Sequence, residues 1–293
     1  MQIAVTTLAL GLSLLAAPPH PKPFWRAVVA QKFDVPPGES APALADELVG
    51  ALGSPDPEMR DDLAFTILSS WIYTKKVLEP AHLQGMVKTL EANLTSGIGG
   101  PESDRVLLRS FSALTLSIVA ARHNVDPVLS PDEYNTLVDR ALIYFHDEAD
   151  LRGFDAQKGW IHTAAHTADL LKFLARNPAL RVADQARILE ALTTKNRDAA
   201  ASFAQGEDER MARIVISIVR RDDFNRDGFK TWLASAQTAA KFPNPPGVSS
   251  LRAQQNIRHL LSSLWTELSV DDRPSDGAEF ARTALRDALK TLY

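Results

Sequence analysis

Apolar positions along this chain recur at three- and four-residue intervals, in blocks separated by short polar or proline-containing breaks. That spacing belongs to amphipathic helices and not to the two-residue alternation of strands. It predicts helices over approximately 42–52, 57–74, 80–96, 103–123, 130–149, 158–176, 182–202, 207–221, 228–241, 249–269 and 276–292. The breaks carry their own chemistry. Ser54-Pro55-Asp56-Pro57 ends one helix and starts the next, while Ser103-Asp104 and Ser130-Pro131-Asp132-Glu133 read as N-caps. Gly206-Glu207-Asp208 places acids at a helix start, where the dipole favours them. No run of alternating β-branched residues interrupts the series, so the expected class is all-α.

The predicted helices fall into pairs about forty residues apart. One pair, Leu44 to Gly53 followed by Ser54-Pro55-Asp56-Pro57 and Glu58 to Ala64, resembles a HEAT repeat, with its Asp-Pro turn and Arg60 in the first turn of the second helix. The expectation is a HEAT-like α-solenoid of about five antiparallel helix pairs in a single domain spanning 42–293. Residues 18–41 precede it as a proline-rich linker and a first helix around Phe24–Val29, broken by Pro36-Pro37-Gly38. In such a stack the second helices line the concave face. Their starts would bring Arg60 and Asp61, Asp104 and Arg109, His162 and His166, Glu207 and Arg210, and Arg252 with Asn256 into one polar groove. Helix N-termini beside arginines favour an anionic ligand group there.

Composition narrows the setting. Apolar residues make up 45% and charged residues 23% of the 293, which is globular rather than disordered. The net charge of −4 is spread along the chain without a basic tail, which argues against nucleic acid as a partner. Ile3–Ala17 is an apolar run ending in small residues and followed by Pro18-Pro19-His20-Pro21. It is shorter than the roughly 20 residues of a membrane span and reads as a signal peptide over residues 1–17, with a buried first helix as the alternative. The expected location is therefore periplasmic or secreted, without stable membrane insertion. A chain with no cysteine suits an oxidising compartment and has no thiolate chemistry.

The densest chemistry lies in Gly159–Leu171. Read as a helix, this stretch puts His162, His166 and Asp169 at i, i+4 and i+7 on one stripe. Two imidazoles and a carboxylate so spaced suit a divalent metal such as Zn²⁺ with an open position. Thr163 occupies the place where the zinc-protease motif carries its Glu, so a general base would have to come from Glu207 or Asp208. The alternative is a hydrogen-bonded polar layer. Arg152 and Trp160 flank the stripe and could hold a carboxylate or phosphate and stack on a ligand, or could cap a helix and fill the core. Arg60 reads as part of an inter-repeat ladder with aspartates, and Arg109 with Ser110 as a solvated helix face. Asp223-Phe224-Asn225-Arg226-Asp227-Gly228 matches half of a calcium loop, but Ala234 stands where the bidentate Glu belongs, so a solvated turn is the better reading. Walker, nucleophile-elbow and dinucleotide signatures are absent.

From Phe24-Trp25 to about Trp232 the chain resembles the bacterial proteins grouped as domain of unknown function (DUF) 2785. The resemblance rests on Gly53-Ser54-Pro55-Asp56-Pro57 with Arg60-Asp61, on Trp71-Ile72, and on Asp104 with Arg109-Ser110-Phe111-Ser112. It continues through Arg152-Gly153-Phe154, Gly159-Trp160-x-His162-x-x-Ala165-His166-x-x-Asp169 and Glu207-Asp208-Glu209-Arg210. Ile161 and Thr163 depart from it, standing where small apolar residues are usual. The resemblance implies a helical fold and a shared pocket, lifts Arg109 and Ser110 above the solvated-face reading, and implies no activity. Three functions follow as expectations. The first is binding of a ligand or protein partner in the groove by Arg152, Trp160, His162, His166, Asp169, Arg109, Asp104, Glu207 and Arg210. The second is metal-assisted hydrolysis at His162, His166 and Asp169, with Glu207 or Asp208 as base. The third is a structural scaffold.

Overall fold

A computed structural model describes residues 20–273 and 275–292. The leader expected at residues 1–17 lies outside the described residues. Among those described, twelve α-helices and one small β-hairpin are formed. The first helices are α1 (Lys22–Ala30), α2 (Ala41–Ala51), α3 (Thr66–Ser69) and α4 (Pro80–Asn93), and then come α5 (Arg105–Val125) and α6 (Pro131–Asp147). The hairpin, β1 (Phe154–Asp155) and β2 (Gly159–Trp160), leads into α7 (Thr163–Arg176). After it come α8 (Val182–Asp198), α9 (Glu207–Val219), α10 (Arg226–Ala239), α11 (Val248–Val270) and α12 (Asp276–Lys290). No helix among the described residues is long and apolar enough to cross a membrane.

Local chemistry accounts for most boundaries. Ser130 and Glu133 form a reciprocal capping box at α6, with Pro131 in the first turn, where its missing N–H costs nothing. The Asn225 side chain accepts from Gly228 N at 2.9 Å to start α10, and the Ser275 side chain accepts from Ala278 N at 3.1 Å to start α12. Asp56 Oδ1 accepts from Glu58 N and Met59 N at the entry to the segment expected over 57–74. That segment is helical, but α3 is only its centre. Residues Glu58–Phe65 and Ser70–Thr74 on either side are π-helical. Thr66 Oγ1 bonds Asp61 O, five residues back, as the wider turn requires.

The helices pack in two runs. Ser70–Thr74 lies against α5, α5 against α7, α7 against α9, and α9 against α11. In the second run α6 contacts α8, α8 contacts α10, and α10 contacts α12, while the α4–α5, α6–α7 and α8–α11 contacts join the two. One continuous apolar core extends from Trp25 to Leu292. Helix α7 therefore sits in the middle, with α5 on one side and α9 on the other.

Two expected boundaries move by four residues or more, each for a visible reason. Helix α8 ends at Asp198 instead of near 202, because Asn256 of α11 captures the following backbone. It accepts from Phe203 N at 3.0 Å and donates to Ala201 O at 3.1 Å. The helix expected from 158 begins at Thr163. Gly159 (φ 70°) and His162 (φ 52°) are left-handed, and the residues between them are extended. The i, i+4, i+7 stripe is corrected accordingly: His162 is the residue before α7, and only His166 and Asp169 lie on it.

Candidate functional site

The hairpin is short, and its neighbours rather than its own strands hold it. Phe154 pairs with Trp160 and Asp155 with Gly159. Asp155 Oδ1 closes the turn by accepting from Gln157 N and Lys158 N, both at 2.8 Å. The ladder continues past the strands through Ile161 N to Gly153 O (2.8 Å) and His162 N to Arg152 O (3.0 Å). Arg60, fully buried, reaches in from the π-helical turn and donates through Nη2 to Lys158 O (2.6 Å) and Trp160 O (3.3 Å), and through Nη1 to Ser54 O. Its guanidinium also lies 4.6 Å from the Phe111 ring centre and pairs with Asp61. Arg60 is thus a structural residue, as expected, but it ties down the hairpin backbone instead of joining an inter-repeat ladder. Ile161 completes the anchorage by packing on Val106 and Leu107 of α5.

Beneath the hairpin, the starts of α5, α7 and α9 meet in a buried polar seam. Ser110 Oγ donates to Ile161 O and lies 2.8 Å from His166 Nδ1. A hydroxyl has one proton, so Nδ1 must carry the hydrogen of this second bond, which fixes the tautomer of His166. Burial, together with neighbouring His162, Arg210 and Arg60, pushes the His166 pKa well below its ordinary value, and the ring is neutral. His162 Nε2 stands 3.4 Å from Glu207 Oε1. Burial opposes the charge of Glu207, but His162 and the backbone N–H of Gln205 outweigh it and hold this carboxyl below its usual range. Asp61 goes the other way, raised to about 6 because burial outweighs its attraction to Arg60. Ser110 and Arg109, expected on a solvated face, are both buried.

Of the candidate residues, His162, His166 and Glu207 come together, as a buried layer instead of an open groove, while the others stand apart from it. Asp169 pairs with Lys172 at 2.7 Å and with Arg210. Its carboxylate is committed away from the histidines, and no group of three or more His, Asp or Glu residues among those described is arranged to hold a metal ion. The His162/His166/Asp169 metal set is thus not assembled. Asp208 accepts from Ser263 Oγ, and Asp104 from Lys158 Nζ, each at 2.5 Å. Arg152 is held by Asp150 and by Glu102 at 3.0 Å. In the half calcium loop, Asp223 pairs with Arg221 and Asn225 caps α10, while Asp227 is exposed beside Lys230.

What remains open lies on and beside the hairpin. Trp160 is 41% exposed and Phe154 55%, their ring centres 5.1 Å apart in an edge-to-face pair. Trp160 also stacks on His162 at 4.6 Å, with 21° between the planes. A cleft of about 430 Å³ adjoins, with Glu102, Ser103, Arg109, Glu148, Asp150 and Arg152 among its lining residues. Sequence reasoning missed Glu148, which receives Arg109 in a two-pronged pair at 2.5 and 3.0 Å. It also missed Lys195, which donates to Glu148 O at 2.6 Å and is pushed down to about 8 by burial. Phe154, named only within the Arg152-Gly153-Phe154 motif, and Gln205, whose Oε1 accepts from Phe154 N at 2.9 Å, were given no role. The clue for Glu148 was present as an acid at the expected end of a helix, where the dipole disfavours it.

Residues 94–266 match the family described as protein of unknown function (DUF2785). The match covers more than half of the chain, and the chain belongs to that family. No curated protein and no solved structure matches it.

Proposed function

We propose that this protein is a recognition module, and that a ligand or protein partner docks on the Phe154/Trp160 pair beside the 430 Å³ cleft. The observation that carries this reading is the exposure of two large aromatics on a hairpin whose base is fully tied down. Exposed aromatic surface is unfavourable in water unless something covers it, and a rigid aromatic pair loses little conformational freedom on binding. Metal-assisted hydrolysis has less support, because Asp169 is spent on Arg210 and Lys172. The two runs of packed helices support a HEAT-like solenoid as the frame that presents the hairpin, and the Ile3–Ala17 run supports export.

The test is affinity capture from the native extract with immobilised protein, comparing wild type with the Phe154→Ser/Trp160→Ser double variant. A partner held by the first and lost from an equally stable second is the expected result. Equal capture by both would sink the reading.

A further inference from the structure

A different kind of site lies at the other end of α7 and α9. A cleft of about 560 Å³ opens there, with Arg176, Pro178, Ile216, Arg220, Arg221 and Arg273 among its lining residues. An adjoining hollow of similar size shares Arg176, Ile216 and Arg273 and adds Val270, which is 77% exposed. Arginines at helix C-termini ordinarily cap carbonyls and complement the dipole. Arg221 does so, donating to Ala175 O (2.9 Å), Asn177 O (2.5 Å) and Leu180 O (3.0 Å) and pairing with Asp223.

The other three arginines do not fit that description. Arg176 has the Ser217 hydroxyl at 3.2 Å and the Phe173 ring at 5.1 Å as partners, with no carboxylate in ion-pair reach among the described residues. Arg220 and Arg273 share the one carboxylate of Asp271. Arg220 Nε is buried with no hydrogen-bond partner among the described residues. Counted together, the two hollows carry as many acids as arginines, but among the described residues no acid other than Asp271 lies within ion-pair reach of these three. Glu267 is taken by Arg213, and Asp222 and Asp272 are exposed, where water weakens their pull. The crowding registers in the guanidinium groups themselves. Burial and then Arg273 depress the pKa of Arg176, while burial, Arg273 and Arg176 depress that of Arg220.

We propose that this cleft binds an organic oxyanion, a phosphate monoester or a carboxylate with a small apolar body, held by Arg176, Arg220 and Arg273 against Pro178, Ile216 and Val270. The planar donor forks suit a two-oxygen acceptor, and the anion supplies the partner that Arg176 and the Nε of Arg220 lack.

Calorimetric titration of the full chain at low salt with inorganic phosphate, phenyl phosphate and benzoate tests this. Phenyl phosphate or benzoate should bind saturably and more tightly than inorganic phosphate, and whichever is tighter names the anion. Arg176→Gln should weaken binding about tenfold, the loss of one charge-assisted hydrogen bond. Arg273→Gln, at an exposed position and harmless to folding, should weaken it severalfold. Phe154→Ser/Trp160→Ser should leave the affinity unchanged, which keeps this site separate from the hairpin. No saturable binding of any probe, affinity indifferent to both arginine changes, or inorganic phosphate matching the organic probes would overturn the proposal.

Discussion

The two ends of α7 treat charge in opposite ways. At the start, around His162, buried polar groups face one another: Arg109 with Glu148, Ser110 with His166, and His162 with Glu207 at 3.4 Å. The Phe154/Trp160 pair faces water above them. At the finish, around Arg176, arginines crowd a cleft with one carboxylate between Arg220 and Arg273 and none on Arg176. A buried, largely paired polar layer fixes geometry, whereas arginines left without a close carboxylate keep donors free for an anion, which is the basis of the ligand proposed there. Richness in polar residues therefore does not by itself locate binding; the state of their pairing does.

That contrast can be broken most decisively at Arg109. Arg109→Met strands Glu148 without its partner in the interior and should cost about 3–5 kcal/mol in chemical denaturation. A loss below 1 kcal/mol would show that the starting end is not held by its charges. Gly153→Ala comes next. An added Cβ would stand 1.4 Å from Gln205 Oε1, so Gln205 must swing away from Phe154 N, at a cost of about 1–2 kcal/mol.

The pH response sharpens the comparison further. The unfolded chain protonates His166 near pH 6.5 while the folded protein keeps the ring neutral far below that. Protons then bind preferentially to the unfolded state, so stability falls as the pH drops through 6.5 toward the depressed folded value. His166→Asn should flatten that slope in thermal melts taken from pH 7 to pH 5. Asp61 opposes the trend: its folded pKa of about 6 favours the protonated native state and adds stability as the pH falls from about 6 to 4. The smallest effect belongs to the other end, where Arg273→Gln should change stability by less than about 0.5 kcal/mol.

Helical periodicity made most of the fold legible, since boundaries such as Pro80, Pro131 and Glu207 are marked by residues acting on the local backbone. The hairpin escaped because Gly159 to His162 has helical spacing of its apolar and polar groups. What overrides that spacing is distant: Arg60, 98 residues away from Lys158, and the Ile161 contact with α5. The seam was half legible. Its members were named from their positions at helix starts, but whether they faced a groove or each other depended on Glu148 and on the hairpin above them. The arginine cleft left no trace at all, because Arg176, Arg220 and Arg273 come from three segments with no shared motif.

Gly153 and Gln205 carry one more consequence. The space that the glycine leaves empty is filled by the amide oxygen that holds the next residue's N–H. Across the descent of this family the two positions should behave as a single inherited character. A lineage that acquires a side chain at 153 has to shorten or redirect residue 205 in the same step, and one that loses the glutamine frees 153 to drift.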